Sequence, residues 1–139
     1  ALMAYRQLSA EPQTDQEKVL LLRFMATRYA DPDLSLEKTI EALGIDRTKI
    51  NEILKKEFGL TFTACLNKLR LTEAARLLSE NDKADVAEVA YTVGYSNVTY
   101  FGRVFKNEYG CSPKAFKSTC RPKKSDIDGG EPYDFFKHH

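Results

Sequence analysis

The chain has 139 residues, 42% of them hydrophobic, and carries a formal net charge of +1. This length and composition suit one compact domain or two small subdomains with a shared core, and they exclude wholesale disorder. No apolar run reaches the roughly 18 residues of a membrane span and the N-terminus has no secretory signal pattern, so we expect a cytoplasmic protein without membrane contact. The three cysteines lack CxxC spacing, which favours reduced thiols, and we expect no cofactor and no metal.

The first unit of the chain, about residues 14–59, is predicted to contain three helices. The preceding residues 1–13 have no clear period and are interpreted as a linker or the tail of an upstream domain. Thr14 opens a capping-box sequence, which predicts that the first helix starts there. Ser35 and Asp46 are suited to cap the second and third helices, which a glycine-containing turn separates.

A single uninterrupted helix is predicted to join this unit to the next, over about residues 61–80. Thr61 or Thr63 is placed to open it. The stretch contains neither glycine nor proline over about 16 residues, which corresponds to about 25 Å at 1.5 Å per residue. We therefore expect a continuous connection between the two units.

The second unit, about residues 84–120, is also predicted to be helical. Asp85 is suited to cap its first helix, and Ser96 or Asn97 its second. Ser112-Pro113 has the form of an N-cap followed by proline at the first helical position, which predicts a short last helix.

One pattern of large apolar residues occurs in both units. The spacing is i, i+3, i+4, i+8, so each copy lines one face of a helix. The two copies are Ile50, Ile53, Leu54, Phe58 and Phe101, Val104, Phe105, Tyr109. Two helices joined by a tight turn, repeated in tandem, predict an all-α fold of about seven helices, with two helix-turn-helix subdomains and a long linker helix. Helix-turn-helix units are typical of DNA-binding proteins.

The charge is unevenly distributed along the chain. Between residues 97 and 124 there are seven basic side chains and one acidic one, and after residue 124 the sign reverses. A basic segment beside an acidic one suits nucleic-acid binding, although an ordinary solvated surface would also show it. Residues 122–139 are predicted to be a flexible tail, and its two terminal histidines are interpreted as a tag remnant.

In each unit, the helix with the repeated apolar pattern carries on its opposite face side chains that can read base edges. Asparagine can bond adenine, arginine can bond guanine, and valine or a threonine methyl can contact the thymine methyl. The candidates for base contacts are Arg47, Thr48, Asn51, Glu52, Val98, Thr99, Gly102 and Arg103. The candidates for phosphate contacts are Lys55, Lys56 and Lys106, which lie further along the same helices. Lys68 and Arg70 of the linker helix either touch the DNA backbone or simply solvate the helix.

Several short motifs together resemble the AraC/XylS signature. They are the run from Asp85 to Asn97, then Tyr100-Phe101, Arg103-Val104-Phe105-Lys106, Tyr109-Gly110 and Ser112-Pro113, with Gly59, Phe62, Leu66, Leu69-Arg70-Leu71, Ala74-Ala75 and Leu77-Leu78 in the linker region. The resemblance covers about residues 14–121. It implies a bacterial transcription regulator, most often an activator, that contacts promoter DNA in adjacent major grooves and recruits RNA polymerase. It also implies a sensor or effector domain outside this chain, although a stand-alone regulator is the alternative.

By position, the resemblance implies base contacts from Thr48, Asn51 and Glu52 in the first unit, and from Val98, Thr99, Gly102 and Arg103 in the second. Two residues depart from the family pattern. Glu52 stands where a basic residue is frequent, and Gly102 stands where a small hydroxyl residue is usual.

Two other function classes remain for comparison. These two departures and the modest net charge leave room for a helical protein-interaction module that has lost DNA binding. An enzyme is disfavoured, because the sequence contains no Ser/His/Asp constellation, metal-ligand cluster or phosphate-binding glycine loop.

Overall fold

The computed structural model describes residues 13–81 and 83–120, and the side chains of residues 16–81 and 83–118. This part of the chain is all-α and contains no strand. Its helices are α1 (Gln13–Arg28), α2 (Leu36–Leu43), α3 (Arg47–Phe58), α4 (Phe62–Glu80), α5 (Val86–Thr92), α6 (Val98–Tyr109) and α7 (Pro113–Ala115), followed by a π-helical turn over Phe116–Cys120. The predicted upstream linker, except Gln13, and the predicted tail at residues 122–139 lie outside the described residues.

Side-chain caps fix where most of the helices begin. The Ser35, Asp46 and Asp85 side chains accept hydrogen bonds from backbone N–H groups three residues further on, as the sequence predicts. Where the sequence left two choices, Thr61 caps α4 and Asn97 caps α6.

The beginning of α1 differs from the prediction. This helix starts at Gln13, so Thr14 lies inside its first turn instead of preceding it. The side chains of residues 13–15 lie outside the described part, so the capping box itself stays a prediction. The linker helix matches the prediction, and its 19 residues span about 28 Å.

The first unit contains α1, α2 and α3, the second contains α5, α6 and α7, and α4 packs into both. In the first unit Lys18 of α1 pairs with Glu57 near the end of α3, with a distance of 3.3 Å from Nζ to Oε1. One repeat length later, Lys68 of α4 pairs with Glu108 near the end of α6. The linker helix therefore occupies in the second unit the place that α1 occupies in the first.

The buried side chains form two clusters that meet along α4. The first cluster contains Leu21, Met25, Ile50 and Leu54 together with Phe62, Cys65, Leu66 and Leu69 from the first half of α4. The second contains Val93, Phe101, Phe105 and Phe116 together with Leu71, Ala74, Ala75 and Leu78 from its second half. The two halves of α4 thus form one side of each core, and Tyr29 packs against both clusters.

Arg70 of α4 ties the two units together. Its side chain is only 8% exposed, and its Nε and Nη2 donate hydrogen bonds to the backbone carbonyls of Tyr29 (2.7 Å) and Asp31 (2.8 Å). These carbonyls follow the C-terminus of α1, where a cation is favoured by the helix dipole. The guanidinium carbon also lies 5.3 Å from the ring centroid of Tyr95, in the second unit.

The expectation that Arg70 contacts DNA or solvates the linker helix is therefore wrong, whereas the expectation for Lys68, which is partly exposed, stays a prediction. Arg70 is buried in the junction, and Lys68 is engaged by Glu108. A sequence alone gives no sign of these partners, because Arg70 bonds to carbonyls about 40 residues away, at sequence separations of 41 and 39.

Gly94 lets the second unit approach this junction closely. Its φ of 108° lies in the region that favours glycine. A Cβ at this position would lie 2.7 Å from the Tyr29 carbonyl oxygen and 2.8 Å from Nε of Arg70. The absence of a side chain is thus required both by the backbone conformation and by the contact with the end of α1.

We expect Gly94→Ala to lower the free energy of unfolding by about 2–4 kcal/mol, because it adds both backbone strain and a clash with the junction. Gly102→Ala is the matched control. A Cβ at Gly102 meets no atom within 4 Å, and alanine in a helix is favoured over glycine by about 0.5–1 kcal/mol, so this variant is expected to be slightly more stable. Urea denaturation followed by circular dichroism measures both changes. Equal stabilities for the two variants would contradict the assigned role of Gly94.

Candidate nucleic-acid interface

The first recognition helix, α3, buries one face and exposes the other. Ile50, Ile53 and Leu54 are packed into the first core cluster. The predicted base-contact residues of this unit, Arg47, Thr48, Asn51 and Glu52, are all exposed, as are the predicted phosphate contacts Lys55 and Lys56. The structure therefore brings these six side chains together on one surface of α3.

On this surface, Glu52 is surrounded by basic side chains. A shallow depression on α3 is lined by Glu52 together with Lys49, Lys55 and Lys56. Because three ammonium groups share the surface with one carboxylate, the helix remains attractive to phosphate. Glu52 is thus compatible with a DNA-facing surface, and its carboxylate can accept a hydrogen bond from the N4 amino group of cytosine.

Arg47 is engaged in an ion pair in the absence of DNA. Its Nη2 lies 2.6 Å from Oε2 of Glu37 on α2, and both side chains are more than half exposed. The hydrogen bond from Arg47 lowers the pKa of Glu37 below its usual value. Ion pairs as exposed as this one contribute little to stability, so Arg47 can exchange Glu37 for another anion at small cost.

The second recognition helix, α6, has the same division of faces. Phe101 and Phe105 are fully buried, and Phe105 contacts the ring of Phe116 at a centroid distance of 5.2 Å. Of the predicted contact residues, Thr99, Arg103 and Lys106 are exposed, whereas Val98 and Gly102 are partly exposed. Within the described part of the chain, neither Arg103 nor Lys106 has a carboxylate partner.

A groove with a volume of about 710 Å³ lies between the two recognition helices. Arg47, Asn51 and Lys55 of α3 line one side of it, and Tyr100 of α6 lines the other. Between these two sides, the groove is lined by Thr61, which precedes α4, and by Thr63 and Asn67 from the first turns of α4. One groove therefore runs from the polar face of α3 to Tyr100 of α6.

Tyr100, Asn67 and Thr63 were not predicted as functional residues from the sequence. Tyr100 belongs to the signature motif, but it stands next to the buried Phe101, and nothing in the local pattern shows which way it points. Asn67 and Thr63 lie on a helix that was interpreted as a spacer. Their place at the groove follows only from the packing of α4 between the two units.

The described residues offer little for other kinds of chemistry. Among residues whose side chains are described, no group of three or more His, Cys, Asp or Glu could hold a metal ion. Cys65 and Cys111 are both buried, and burial raises the pKa of the Cys65 thiol to about 12, which keeps it protonated and unreactive at neutral pH. Over the same part of the chain, no helix is both long enough and apolar enough to cross a membrane.

Comparison with known proteins agrees with this arrangement. A family model described as a helix-turn-helix domain matches residues 40–119. The arabinose operon regulatory protein of Escherichia coli K12 is 24% identical over 119 residues, which is 86% of this chain and 40% of that protein. The transcriptional activator RhaS of Escherichia coli SE11 is 32% identical over 95 residues, which is 68% of this chain and 34% of RhaS. The chain belongs to the AraC/XylS family.

Solved structures of other domains have the same fold as this AraC-type domain. The C-terminal domain of the response regulator AraT from Geobacillus stearothermophilus superposes with a TM-score of 0.69 and 29% identity, covering 74% of this chain and 84% of that one. The C-terminal domain of the response regulator yesN from Fusobacterium nucleatum gives a TM-score of 0.67 and 29% identity, covering 73% and 97%. The chain is thus an AraC-type DNA-binding domain, and it spans less than half the length of the two curated relatives.

We expect Glu37→Gln to bind DNA several-fold more tightly at low salt, because it removes a carboxylate next to α3 and frees Arg47. If Arg47 then neutralises one more phosphate, the slope of log K against log salt becomes steeper by about 0.9. Glu80→Gln is the control, since Glu80 also pairs with an arginine but lies at the far end of α4. Fluorescence anisotropy at several salt concentrations measures both quantities. Identical curves for the two variants would show that Glu37 does not restrain Arg47 in DNA binding.

Proposed function

We propose that this domain is the DNA-binding part of a bacterial transcription regulator and that it inserts α3 and α6 into two consecutive major grooves of promoter DNA. The observation that carries this proposal is that α3 and α6 border the same groove, with Asn51 and Lys55 of α3 on one side and Tyr100 of α6 on the other. Two helices that present their polar faces to one side of a molecule can bind one side of a DNA duplex.

The linker helix supports the required spacing. Consecutive major grooves on one face of B-DNA lie roughly 34 Å apart. With about 28 Å along α4, plus the offset of each recognition helix from its end, the two helices can reach that separation. Because Arg70 and Gly94 hold the units in direct contact, the spacing is set by packing, and one chain is sufficient to occupy both grooves.

The two helices would read different sequences. In α3, Asn51 can bond adenine and Glu52 can accept from cytosine, while Thr48 offers a methyl group to thymine. In α6, Arg103 can bond guanine, and Val98 and Thr99 offer methyl groups. Gly102 leaves open space on the surface of α6. We therefore propose an asymmetric DNA site, with Lys55, Lys56 and Lys106 holding phosphates.

The role of the whole regulator is proposed from its relatives. RhaS is named a transcriptional activator, and this chain corresponds to about a third of its length. We propose that the complete protein likewise activates transcription by recruiting RNA polymerase, and that a sensor or effector domain outside this chain controls it. A pool of random DNA would identify the preferred sequence and the spacing of its two halves in one selection experiment.

We expect DNA affinity to depend steeply on salt. If Lys55, Lys56 and Lys106 each neutralise one phosphate, the slope of log K against log salt is about −2.7, and affinity falls about 40-fold between 50 and 200 mM salt. A titration of the selected DNA site at these two concentrations measures the change. Salt-independent affinity would refute the phosphate contacts, and no binding to any DNA would favour the protein-interaction module instead.

We expect Arg103→Ala and Lys106→Ala to weaken binding in different ways. Loss of Arg103 removes a base contact, which costs about 1–3 kcal/mol at one base pair and relaxes the preference there. Loss of Lys106 removes a phosphate contact, so all sequences weaken alike and the salt slope drops by about 1. Affinities for the selected site and for its single-base variants separate the two effects. Equal losses on every sequence for both variants would contradict the assigned roles.

A further inference from the structure

Three polar side chains form a continuous hydrogen-bonded chain from the buried junction to the central groove. The Tyr95 hydroxyl donates to Oδ1 of Asn67 at 2.7 Å. Nδ2 of Asn67 in turn donates to the hydroxyl oxygen of Tyr100 at 3.1 Å. Tyr95 is only 3% exposed, whereas Tyr100 is 37% exposed and borders the groove between α3 and α6.

Burial fixes the direction of this chain. The Tyr95 hydroxyl hydrogen is taken up by Oδ1 of Asn67, and no buried side-chain nitrogen or oxygen among the described residues lacks a partner. If the Asn67 amide were turned around, its NH₂ group would face Tyr95 and the buried hydroxyl hydrogen would lose this acceptor, which is unfavourable for a buried donor. The Asn67 NH₂ group therefore points toward Tyr100.

Tyr100 consequently has one hydrogen-bonding capacity left over. Its oxygen already accepts from Asn67, so its own O–H hydrogen is available to an acceptor in the groove. Its ring is held in place by Tyr95, at a centroid distance of 6.0 Å. A donor that is oriented in advance loses little side-chain entropy when it binds a partner.

The groove favours an anion as that partner. Arg47 and Lys55 line the side opposite Tyr100, and Arg70 is also among the lining residues. Glu37 also lines the groove, but Arg47 offsets its charge. When two neighbouring major grooves are occupied from one side, the DNA backbone must cross the space between the two helices. The anion expected at this place is therefore a DNA phosphate.

We propose that Tyr100 donates a hydrogen bond to a phosphate at the centre of the DNA site and that Asn67 and Tyr95 orient it for this contact. The proposal rests on the proposed function, because it needs both recognition helices on the same duplex. The contact carries no sequence information, so it fixes the register of the domain on the DNA instead of selecting bases. Asn67 and Tyr95 are positioning residues in this account, since they act through Tyr100.

A neutral donor has a different signature from that of a lysine or an arginine. It contributes affinity without neutralising a phosphate. Removing it therefore leaves the number of counterions released on DNA binding unchanged. We expect Tyr100→Phe, which keeps the ring and removes only the hydroxyl, to weaken binding about tenfold on every sequence with an unchanged salt slope. Tyr91→Phe is the matched control, because Tyr91 is exposed on α5 and does not line the groove; it is expected to bind as the unaltered chain does.

The phosphate itself can be located with chemically modified DNA. In a series of selected sites, each central phosphate is replaced in turn by an uncharged methylphosphonate. We expect one position at which the loss of affinity is about tenfold smaller for Tyr100→Phe than for the unaltered chain, whereas the losses elsewhere are the same for both. Circular dichroism and thermal unfolding confirm that Tyr100→Phe retains the fold.

The outcomes separate this proposal from the one on which it rests. Normal binding by Tyr100→Phe, or equal losses for both proteins at every methylphosphonate, would overturn the Tyr100 contact alone. A lower salt slope in Tyr100→Phe would also overturn it, because that result requires a lost charge. Absence of DNA binding by the unaltered chain would overturn the proposed function and the Tyr100 contact together.

Discussion

The geometry of the domain depends on one buried cation. Arg70 lies on the helix that joins the units, donates to two carbonyls at the end of α1, and stacks on Tyr95 of the second unit. Two charge-assisted hydrogen bonds of about 1.5–3 kcal/mol each, made by a side chain that is almost fully buried, are enough to hold three elements in one arrangement. Gly94 completes the junction by leaving room for it. The separation between α3 and α6 is therefore a property of the fold.

The two recognition helices share a scaffold and differ in their surfaces. Each buries an apolar stripe, and each has near its end a glutamate that pairs with a lysine two helices earlier in the chain, on α1 for α3 and on α4 for α6. The exposed faces have no such correspondence. Where α3 carries Asn51 and Glu52, the equivalent positions of α6 carry Gly102 and Arg103. The residues of the buried faces are constrained by packing, which is the same in both units. The residues of the exposed faces are constrained only by what they bind.

The sequence was sufficient to predict what is local. Ser35, Asp46 and Asp85 cap helices because a cap needs only a side chain three residues from its N–H donor. The buried faces follow from helical spacing in the same way. The roles of Arg70 and Asn67 depend on partners at sequence separations of 28 to 41, and no periodicity reports such pairings. The sequence therefore indicated which faces are exposed and missed how the surface between them is built.

Because α4 contributes to both cores, the domain cannot be divided into its two units without disrupting one of the cores. A cut before residue 62 would leave the first core without the wall formed by Cys65, Leu66 and Leu69, and a cut after residue 80 would leave the second unit without Leu71, Ala74 and Leu78. Neither α3 nor α6 belongs to a unit that can be removed or exchanged as an independent module. Variation in what such a domain binds must instead arise on its outer faces, one side chain at a time, while the shared helix stays as it is.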